Sequence, residues 1–327
     1  MVRFGVVGTS RIVDDFIRCA RLHSEFSLDA VYSRTEEQGR LFAERHGVKN
    51  RFTNLQEMAQ SNQIDAVYIA SPNSLHAKQA VLFMSHGKHV LCEKPIASNR
   101  KELSVMVESS RQHQVLLMEA MKSTFLPNFQ AVRQNLHKIG AVRKFFSNFC
   151  QYSSRYDAYK TGEVPNAFNP ELSNGSIMDI GVYCIYPAIY LFGKPEKVIA
   201  NGIMLDSGVD GAGSIVLHYH DKEVIISHSK ITNSQAINEI QGEEGTIIID
   251  KISTPKMVKI FYNNGSNEDI GQEQCNDFMY YEVREFIHLI NNHKIESNIN
   301  SLQLSLDVME VIDDCRKQIG LIFPADV

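Results

Sequence analysis

The first 120 residues alternate between short apolar runs and segments in which apolar residues recur with a helical period. After Gly8, for example, Ile12, Phe16, Ile17 and Ala20 are separated by polar and charged residues, as in an amphipathic helix. The apolar runs predict strands at residues 2–8, 28–33, 64–70, 88–92 and 115–120. Regular strand–helix alternation with short links predicts a doubly wound parallel sheet of the Rossmann type.

The pattern changes after residue 121. Strand-like segments joined by Gly, Asn and Asp turns follow at residues 142–153, 197–205, 214–220, 223–230, 236–242, 245–250 and 257–262. They predict one large, mostly antiparallel sheet, and helical patterns at 274–291 and 301–318 end the chain. We therefore expect an N-terminal α/β domain over 1–121 and a C-terminal α+β domain over 122–327, without a flexible linker.

Composition narrows the class of protein. The chain has 327 residues, 43% of them hydrophobic, and a net charge of −5, which is ordinary for a soluble globular protein and offers nucleic acid no basic patch. We identify no run of the ~18 apolar residues that a membrane span needs and no signal peptide. Six cysteines without a CxxC pair indicate reduced core residues in a cytoplasmic protein and no metal site.

A candidate nucleotide loop follows the first strand. Its residues are Gly8, Thr9, Ser10, Arg11 and Ile12. They stand where a G-x-G-x-x-G loop would, although Ser10 and Val13 replace the second and third glycines. An ordinary βα turn is the alternative. The strand before and the helix after favour a dinucleotide site, because a helix N-terminus can hold a pyrophosphate through its backbone N–H groups.

The second strand ends in Ser33 and Arg34. NAD sites usually place an Asp or Glu there, whereas an Arg nearby accommodates the 2′-phosphate of NADP. We therefore favour NADP(H), with NAD(H) as the alternative cofactor. The competing interpretation of Arg34 is a solvated loop residue.

The strand at 64–70 is followed by Ser71, Pro72 and Asn73, and His76 comes one helical turn later. All four are candidates for cofactor binding, because they lie at the carboxyl edge of the sheet. Asn73 also fits a simpler role as a helix N-cap.

The stretch His89–Ala97, HVLCEKPIA, is the most distinctive in the chain. A buried strand delivers Glu93 and Lys94 to its carboxyl end, and Pro95 fixes the backbone that follows. Ligands bind at that end of the strands in open α/β sheets. Lys94 is therefore the centre of the predicted active site, with Glu93 beside it in the cofactor-binding set.

A second candidate group lies in NGSIMDIGVYCIYPAIYLFG. Asp179, Tyr183, Tyr186 and Tyr190 share one face of a predicted helix, which Pro187 would disturb. Tyr186 and Tyr190 also fit a packing role against the sheet.

Four segments in this order, GVVGTSRI, SPNSLH, GKHVLCEKPIA and GSIMDIGVY, resemble the Gfo/Idh/MocA family of NAD(P)-dependent oxidoreductases. The resemblance covers the whole chain and implies a Rossmann domain followed by a domain with an open-faced sheet. In relatives that sheet often forms an oligomer interface, so we expect a homodimer or higher homo-oligomer. The resemblance also implies a cis peptide bond before Pro95 and a catalytic role for Tyr183.

The resemblance is strongest to the branch with dihydrodiol dehydrogenases and sugar reductases. MEAMKSTFLP resembles its MEA-x-x-x-R-F-x-P segment, but Thr124 stands where Arg is usual and Lys122 where Trp or Met is common. These departures leave the substrate open.

Hydride transfer at a carbinol carbon requires proton transfer at its oxygen. The hypothesis is that Lys94 and Tyr183 share the substrate oxygen as acid/base and electrostatic partner, and that Asp179 orients the substrate or Lys94. Which of the two moves the proton stays open. Glu93 either positions Lys94 or contacts the nicotinamide.

The sequence thus favours an NADP(H)-dependent dehydrogenase or reductase of a sugar, polyol or cyclic diol. A cofactor-binding regulator without turnover is the alternative from another class. A hydrolase that uses the same nucleotide in a redox-neutral cycle is the third.

Overall fold

The computed structural model describes residues 1–327, and they form two compact units. The first unit comprises Met1–Met121 and Cys275–Gln303, and the second comprises Lys122–Gln274 and Leu304–Val327. The chain passes from the first unit to the second after Met121, where the sequence predicts a change of domain. The segment 275–303 differs from the prediction, which assigns all of 122–327 to the C-terminal domain.

The first unit is built on a six-stranded parallel sheet, as predicted. Its strands are β1 (Val2–Val7), β2 (Phe26–Tyr32), β3 (Asn50–Phe52), β4 (Ala66–Ile69), β5 (His89–Glu93) and β6 (Leu117–Ala120), in the order β3-β2-β1-β4-β5-β6. The connecting helices are α1 (Arg11–Ala20), α2 (Glu36–His46), α3 (Leu55–Gln60), α4 (His76–Ser85) and α5 (Arg100–His113). The strand order reverses between β1 and β4, and ligands of such sheets bind at this switch point.

Local sequence explains where helices in this unit begin. The Asn99 side chain accepts a hydrogen bond from the Glu102 N–H at 2.9 Å, and the Glu102 carboxylate accepts one from the Ser98 N–H at 2.9 Å. Capping of this kind contributes about 1 kcal/mol, and α5 has the predicted bounds. The helix predicted at 73–87 instead opens with a 3₁₀ turn, Asn73–Leu75, before α4.

The second unit is built on an eight-stranded sheet. Its strands are β7 (Val142–Cys150), β8 (Lys197–Met204), β9 (Asp210–His218), β10 (Glu223–Ser229), β11 (Asn238–Gly242), β12 (Gly245–Ile249), β13 (Val258–Tyr262) and β14 (Asn267–Asp269), in the order β14-β13-β12-β11-β7-β10-β9-β8. Only β7 and β10 pair in parallel, so the predicted, mostly antiparallel sheet is confirmed. The remaining helices are α6 (Pro127–Asn135), α7 (Tyr156–Lys160), α8 (Val182–Phe192), α9 (Tyr280–Asn291) and α10 (Leu302–Ile319).

Helix α9 explains why 275–303 belongs to the first unit. The ring of Phe286 lies 5.8 Å from that of Phe4 in β1, and Tyr280 stacks on His23 at 4.6 Å between ring centroids. These partners are more than 250 residues away in sequence. The helical pattern therefore predicts an amphipathic helix here but does not show which sheet the helix covers.

The eight-stranded sheet has a covered face and an open face. Phe145 and Val224 are fully buried on the face that α8 covers, and the Phe145 ring lies 6.1 Å from that of Phe192. Their neighbours Phe146 and Ile225, which point the other way, are only half-buried. Successive side chains of a strand alternate between faces, so this difference marks an open face, as the family resemblance implies.

A five-residue π-helix, Ile177–Gly181, precedes α8. The sequence predicts an α-helix here, but the first turn is a π-helix, in which each hydrogen bond spans one residue more than in an α-helix. Pro187 is accommodated inside α8. Although the sequence pattern identifies no membrane span, the stretch Pro170–Phe192 is long and apolar enough to cross a membrane, but most of it is buried within the protein, as in a core helix.

Two buried titratable side chains anchor the start of this π-helix. The Asp210 carboxylate, which is 0% exposed, accepts a hydrogen bond from the Ile177 N–H at 2.8 Å. The His228 Nδ1 atom lies 2.9 Å from the Ser176 hydroxyl and 3.8 Å from the Asp210 carboxylate. Burial raises the pKa of Asp210 to about 7 and lowers the pKa of His228 to about 4.

These pKa shifts predict opposite effects of pH on stability. Asp210 binds its proton more tightly in the folded state, so its contribution falls as pH rises from its unfolded pKa, near 4, to about 7. His228 binds its proton less tightly when folded, so its contribution rises with pH between about 4 and its unfolded value of 6.5. The two slopes oppose each other where these ranges overlap.

We expect the D210N variant to show the pH dependence of stability that His228 contributes, without the opposing contribution of Asp210. Relative to wild type, its free energy of unfolding should rise with pH, by up to about 1.4 kcal/mol per unit between about pH 4 and 6.5. Urea unfolding across that range measures the difference. The control is D206N, at an exposed aspartate four residues earlier, which should keep the wild-type slope. Equal slopes in D210N and wild type would contradict the assigned pKa shift.

Candidate active site

The predicted nucleotide loop begins at a position where the backbone requires glycine. Gly8 has φ of 115°, in the region that favours glycine. A Cβ atom there would also lie 2.9 Å from the Ala70 carbonyl oxygen, which is too close. Ser10 is the extended N-cap residue of α1, and its hydroxyl makes no capping bond to the helix. Thr9 is half-buried, whereas Ser10 and Arg11 are exposed at the helix N-terminus.

The end of β2 carries a buried hydroxyl without a partner. Ser33 is 4% exposed, and its Oγ atom makes no hydrogen bond. Arg34 is exposed directly after it, and Thr35 caps α2 by accepting a hydrogen bond from the Gln38 N–H at 3.4 Å. A buried polar atom without a partner is uncommon in proteins, so Ser33 is a candidate contact for a bound nucleotide.

His76 lies beneath this edge of the sheet rather than on its surface. It is 0% exposed, with Nε2 2.8 Å from the Ser71 carbonyl oxygen and Nδ1 3.0 Å from the Pro95 carbonyl oxygen. Burial lowers the pKa of His76, and a neutral imidazole donates from only one nitrogen. The ring thus lies between the end of β4 and the residue after Lys94, and it donates to one of the two carbonyl oxygens.

The other candidates after β4 are at the surface. Ser71, Pro72 and Asn73 are half-buried, and the Ser71 hydroxyl donates to the Gln79 side chain at 2.6 Å. Asn73 is not an N-cap, because Pro72 occupies that position of the 3₁₀ turn and Leu75 that of α4.

Two buried carboxylates hold the turn that contains Lys94. Glu93, which is 9% exposed, accepts hydrogen bonds from the Tyr68 hydroxyl and, at 3.3 Å, from the Lys94 N–H. Glu119, which is 1% exposed, accepts one from the Ile96 N–H at 3.1 Å. Lys94 itself is half-buried, and the peptide bond to Pro95 is cis, as the family resemblance implies.

Sequence reasoning assigned no role to Tyr68 or Glu119. Both lie at or near the carboxyl end of a parallel strand, in β4 and β6 respectively. Such positions bring side chains to one edge of a sheet. A polar residue in an otherwise apolar strand was therefore the signal that could have found them.

In the second unit, Asp179 lies in the π-helix with its side chain 37% exposed. It forms an ion pair with Lys230, the residue after β10, whose side chain is 4% exposed. Lys230 was missed because its position beside the π-helix follows from the pairing of β7 with β10 and not from sequence spacing. A lysine directly after the pattern EVIISHS was the only local signal.

Tyr183, in the first turn of α8, lies beside an aromatic ring and a cation. It is 8% exposed, its ring lies 5.7 Å from that of Phe149 in a T-shaped arrangement, and the Lys122 ammonium lies 5.7 Å from its ring centroid. A positive charge thus lies beside a candidate catalytic phenol.

The other two tyrosines of the predicted stripe have structural partners. The Tyr186 hydroxyl lies 3.3 Å from that of Ser305, and the Tyr190 hydroxyl accepts hydrogen bonds at 3.0 Å from Gln130 and Arg133. The packing interpretation fits both residues.

A polar cavity of about 380 Å³ lies in the second unit beside Phe149. Its wall includes Asn148, Gln151, Asp250 and Thr254, and neither Asp179 nor Tyr183 lines it. Within residues 1–327, no three His, Cys, Asp or Glu side chains are grouped so that they could hold a metal ion.

Comparison with protein families gives two matches along the chain. The model described as an oxidoreductase family with an NAD-binding Rossmann fold, GFO_IDH_MocA, matches residues 2–121. The model of the GFO/IDH/MocA C-terminal domain matches residues 129–248.

Curated relatives match over the full length. The chain is 54% identical over 326 residues to the scyllo-inositol 2-dehydrogenase (NADP(+)) IolU of Bacillus subtilis (strain 168), with 100% of this chain and 99% of that protein covered. It is 28% identical over 351 residues to trans-1,2-dihydrobenzene-1,2-diol dehydrogenase of Danio rerio, with 99% of each covered.

The fold is also that of solved structures. Levoglucosan dehydrogenase in complex with NADH and levoglucosan superposes with a TM-score of 0.86 at 17% identity, and 98% of this chain and 97% of that chain are covered. Both halves of the predicted fold are thereby confirmed. Because the two family models match in order over most of its length, the chain belongs to the GFO/IDH/MocA family of oxidoreductases.

Proposed function

We propose that this oxidoreductase is an NADP(H)-dependent dehydrogenase that acts on a CH–OH carbon of a cyclic polyol of the inositol type. The observation that carries the proposal is the restrained Lys94 turn at the carboxyl end of β5, held by Glu93, Glu119 and His76. Full-length identity of 54% to an inositol dehydrogenase supports the substrate class.

Residues 1–121 are assigned to cofactor binding. The Gly8 loop and the first turn of α1 would hold the pyrophosphate, and Ser71, Pro72 and Asn73 border the same edge of the sheet. The partnerless Ser33 hydroxyl and the Arg34 guanidinium would meet the 2′-phosphate that distinguishes NADP from NAD. His76 acts from below, by holding the backbone around Lys94.

When bound, the nicotinamide supplies the hydride acceptor. The protein must then remove a proton from the alcohol oxygen as the carbonyl forms. We assign this to Lys94 and Tyr183 acting on the same oxygen, one as acid/base and the other as electrostatic partner. Glu93 holds the Lys94 backbone, and Asp179 accepts a hydrogen bond from another hydroxyl of the polyol.

Residues 122–327 are assigned to substrate binding and to oligomerisation through the open sheet face. A row of paired residues crosses that face, in the order Ile248, Glu239, Phe146, Ile225, Val216 and Ile199. Ile199 is 39% exposed and the others are half-buried. The four residues from Phe146 to Ile199 form an apolar row on the open face, which is typical of an interface, and we propose that a second copy of the chain covers it.

We place the enzyme in the cytoplasm. NADP(H) is available there, and the six unbridged cysteines suit a reducing compartment.

Initial rates of NADP⁺ reduction test the substrate class. We expect oxidation of scyllo-inositol, with slower reaction of an open-chain polyol and of a cyclic trans-diol. Tight NADPH binding without turnover of any polyol would contradict the proposal and favour the regulator.

Lys94 should be essential for turnover and dispensable for cofactor binding. K94M removes the ammonium but keeps the length of the side chain, so turnover should fall about 10²- to 10⁴-fold, with NADPH affinity little changed. The control K101M alters an exposed lysine of α5 and should behave as wild type. Wild-type turnover in K94M would contradict the assignment.

Arg34 should determine cofactor choice. R34A should weaken NADPH binding about tenfold, which corresponds to about 1.4 kcal/mol, and leave NADH binding unchanged. R40A, at an exposed arginine of α2 that pairs with Glu44, is the matched control. Calorimetric titration with both cofactors measures the ratio of the NADPH and NADH dissociation constants. An unchanged ratio in R34A would make Arg34 a solvated loop residue.

The open face should control oligomeric state. I225D places a charge in the centre of the apolar row, so the mass from light scattering should fall to that of one chain. L22D, at an exposed leucine of the first unit, should have the same mass as wild type. An unchanged mass in I225D would exclude this face as the interface.

A further inference from the structure

Lys230 and Asp179 form an ion pair between a buried ammonium and a partly exposed carboxylate. The Lys230 side chain is 4% exposed, whereas that of its partner Asp179 is 37% exposed. The ammonium also lies 5.8 Å from the centroid of the Phe168 ring. An ammonium removed from water is costly unless a counter-charge compensates it, so the buried Lys230 favours the ionised form of Asp179.

The backbone holds Lys230 on both sides. Its N–H donates to the Gly211 carbonyl at 2.8 Å, and its carbonyl accepts from the Ser153 N–H at 2.8 Å. Lys230 therefore continues the pairing of β10 with β9 on one side and with the chain after β7 on the other. The main chain that carries the Lys230 side chain is therefore fixed, and burial and the ion pair with Asp179 restrain the side chain itself.

The main chain of the π-helix is held separately. The buried Asp210 carboxylate bonds to the Ile177 N–H at 2.8 Å, two residues before Asp179. Lys230 lowers the pKa of Asp210, against the larger effect of burial. Of the titratable groups on the neighbouring elements, Lys230 pairs with Asp179, Asp210 and His228 lie at the start of the π-helix, and Tyr183 follows Asp179 by four residues.

We propose that Lys230 is a positioning residue of the active site, whose ammonium holds the Asp179 carboxylate ionised and in the orientation that accepts a hydrogen bond from a hydroxyl of the polyol. The proposal rests on the proposed function for the identity of the substrate. It does not make Lys230 an acid or a base, because the ammonium is buried and engaged with Asp179.

The surface pair Lys194–Glu310 provides a comparison. Its side chains are 47% and 34% exposed, and such pairs contribute little because water screens them. Replacing Lys194 should therefore have no effect on the π-helix, although the chemical change, lysine to methionine in an ion pair, is the same.

The pH dependence of kcat/KM for scyllo-inositol tests the proposal in K230M, K230R and K194M at saturating NADP⁺. K230M should lower kcat/KM about 10²-fold, as expected for a misplaced binding group. Loss of the nearby cation raises the pKa of the Asp179 carboxylate. The acid limb of the pH profile of kcat/KM should therefore move to higher pH by at least about one unit. The ratio of wild-type to K230M activity therefore grows as pH falls. K230R should return the acid limb to its wild-type position, and K194M should have the pH profile of wild type.

Two outcomes overturn the proposal. Wild-type kcat/KM in K230M would show that the ion pair does not orient the substrate. A loss of activity with an unshifted acid limb would show that Lys230 serves only the fold. If K230M does not fold, as judged by NADPH binding and thermal melting, K230Q replaces it in the same measurement.

A measurement without substrate separates this proposal from the proposed function. The ¹³C carboxyl resonance of Asp179, assigned by its loss in D179N, is titrated in wild type and K230M. A midpoint at least about one unit higher in K230M supports the ion pair even if no polyol is oxidised. Polyol oxidation with unchanged midpoints leaves the proposed function standing and refutes the role of Lys230.

Discussion

The turn after β5 depends on hydrogen bonds from buried carboxylates to its backbone. Glu93 and Glu119 accept from the N–H groups of Lys94 and Ile96, and the His76 ring reaches the Pro95 carbonyl. Each of these side chains is at least nine-tenths buried. Backbone groups at a strand end have lost their sheet partners, and a buried acceptor that replaces them fixes the chain direction. These hydrogen bonds therefore fix the backbone from which the Lys94 side chain extends.

In the second unit, different interactions restrain Asp179. Asp179 lies in a π-helix, a structure that is rare and frequently found at functional sites. Asp210 holds its first N–H group and Lys230 holds the side chain. The cost of burying Asp210 is visible in its pKa of about 7. Burying Asp210 and Lys230 near this helix costs stability unless their partners compensate it.

The sequence predicted those features that depend on neighbours along the chain. The parallel sheet, the bounds of α5, the Gly8 turn and the Glu93–Lys94 element all follow from local periodicity and from the rule that strand ends share one edge. Features that depend on distant partners were not predicted. The packing of α9 on Phe4 and the pairing of Lys230 with Asp179 join residues that no spacing rule connects. The buried setting of His76 was likewise missed, because its ring packs against the backbone of Pro95 across the sheet edge.

Transfer of deuterium tests the central claim most directly. The enzyme is incubated with NADP⁺ and scyllo-inositol deuterated on its ring carbons, and the recovered cofactor is analysed by mass spectrometry. Direct hydride transfer predicts NADPH that carries one deuterium, together with a ketone product that has lost one. Reduced cofactor without label, or no reduced cofactor despite tight binding of NADPH, would contradict the assignment of this chain as a polyol dehydrogenase.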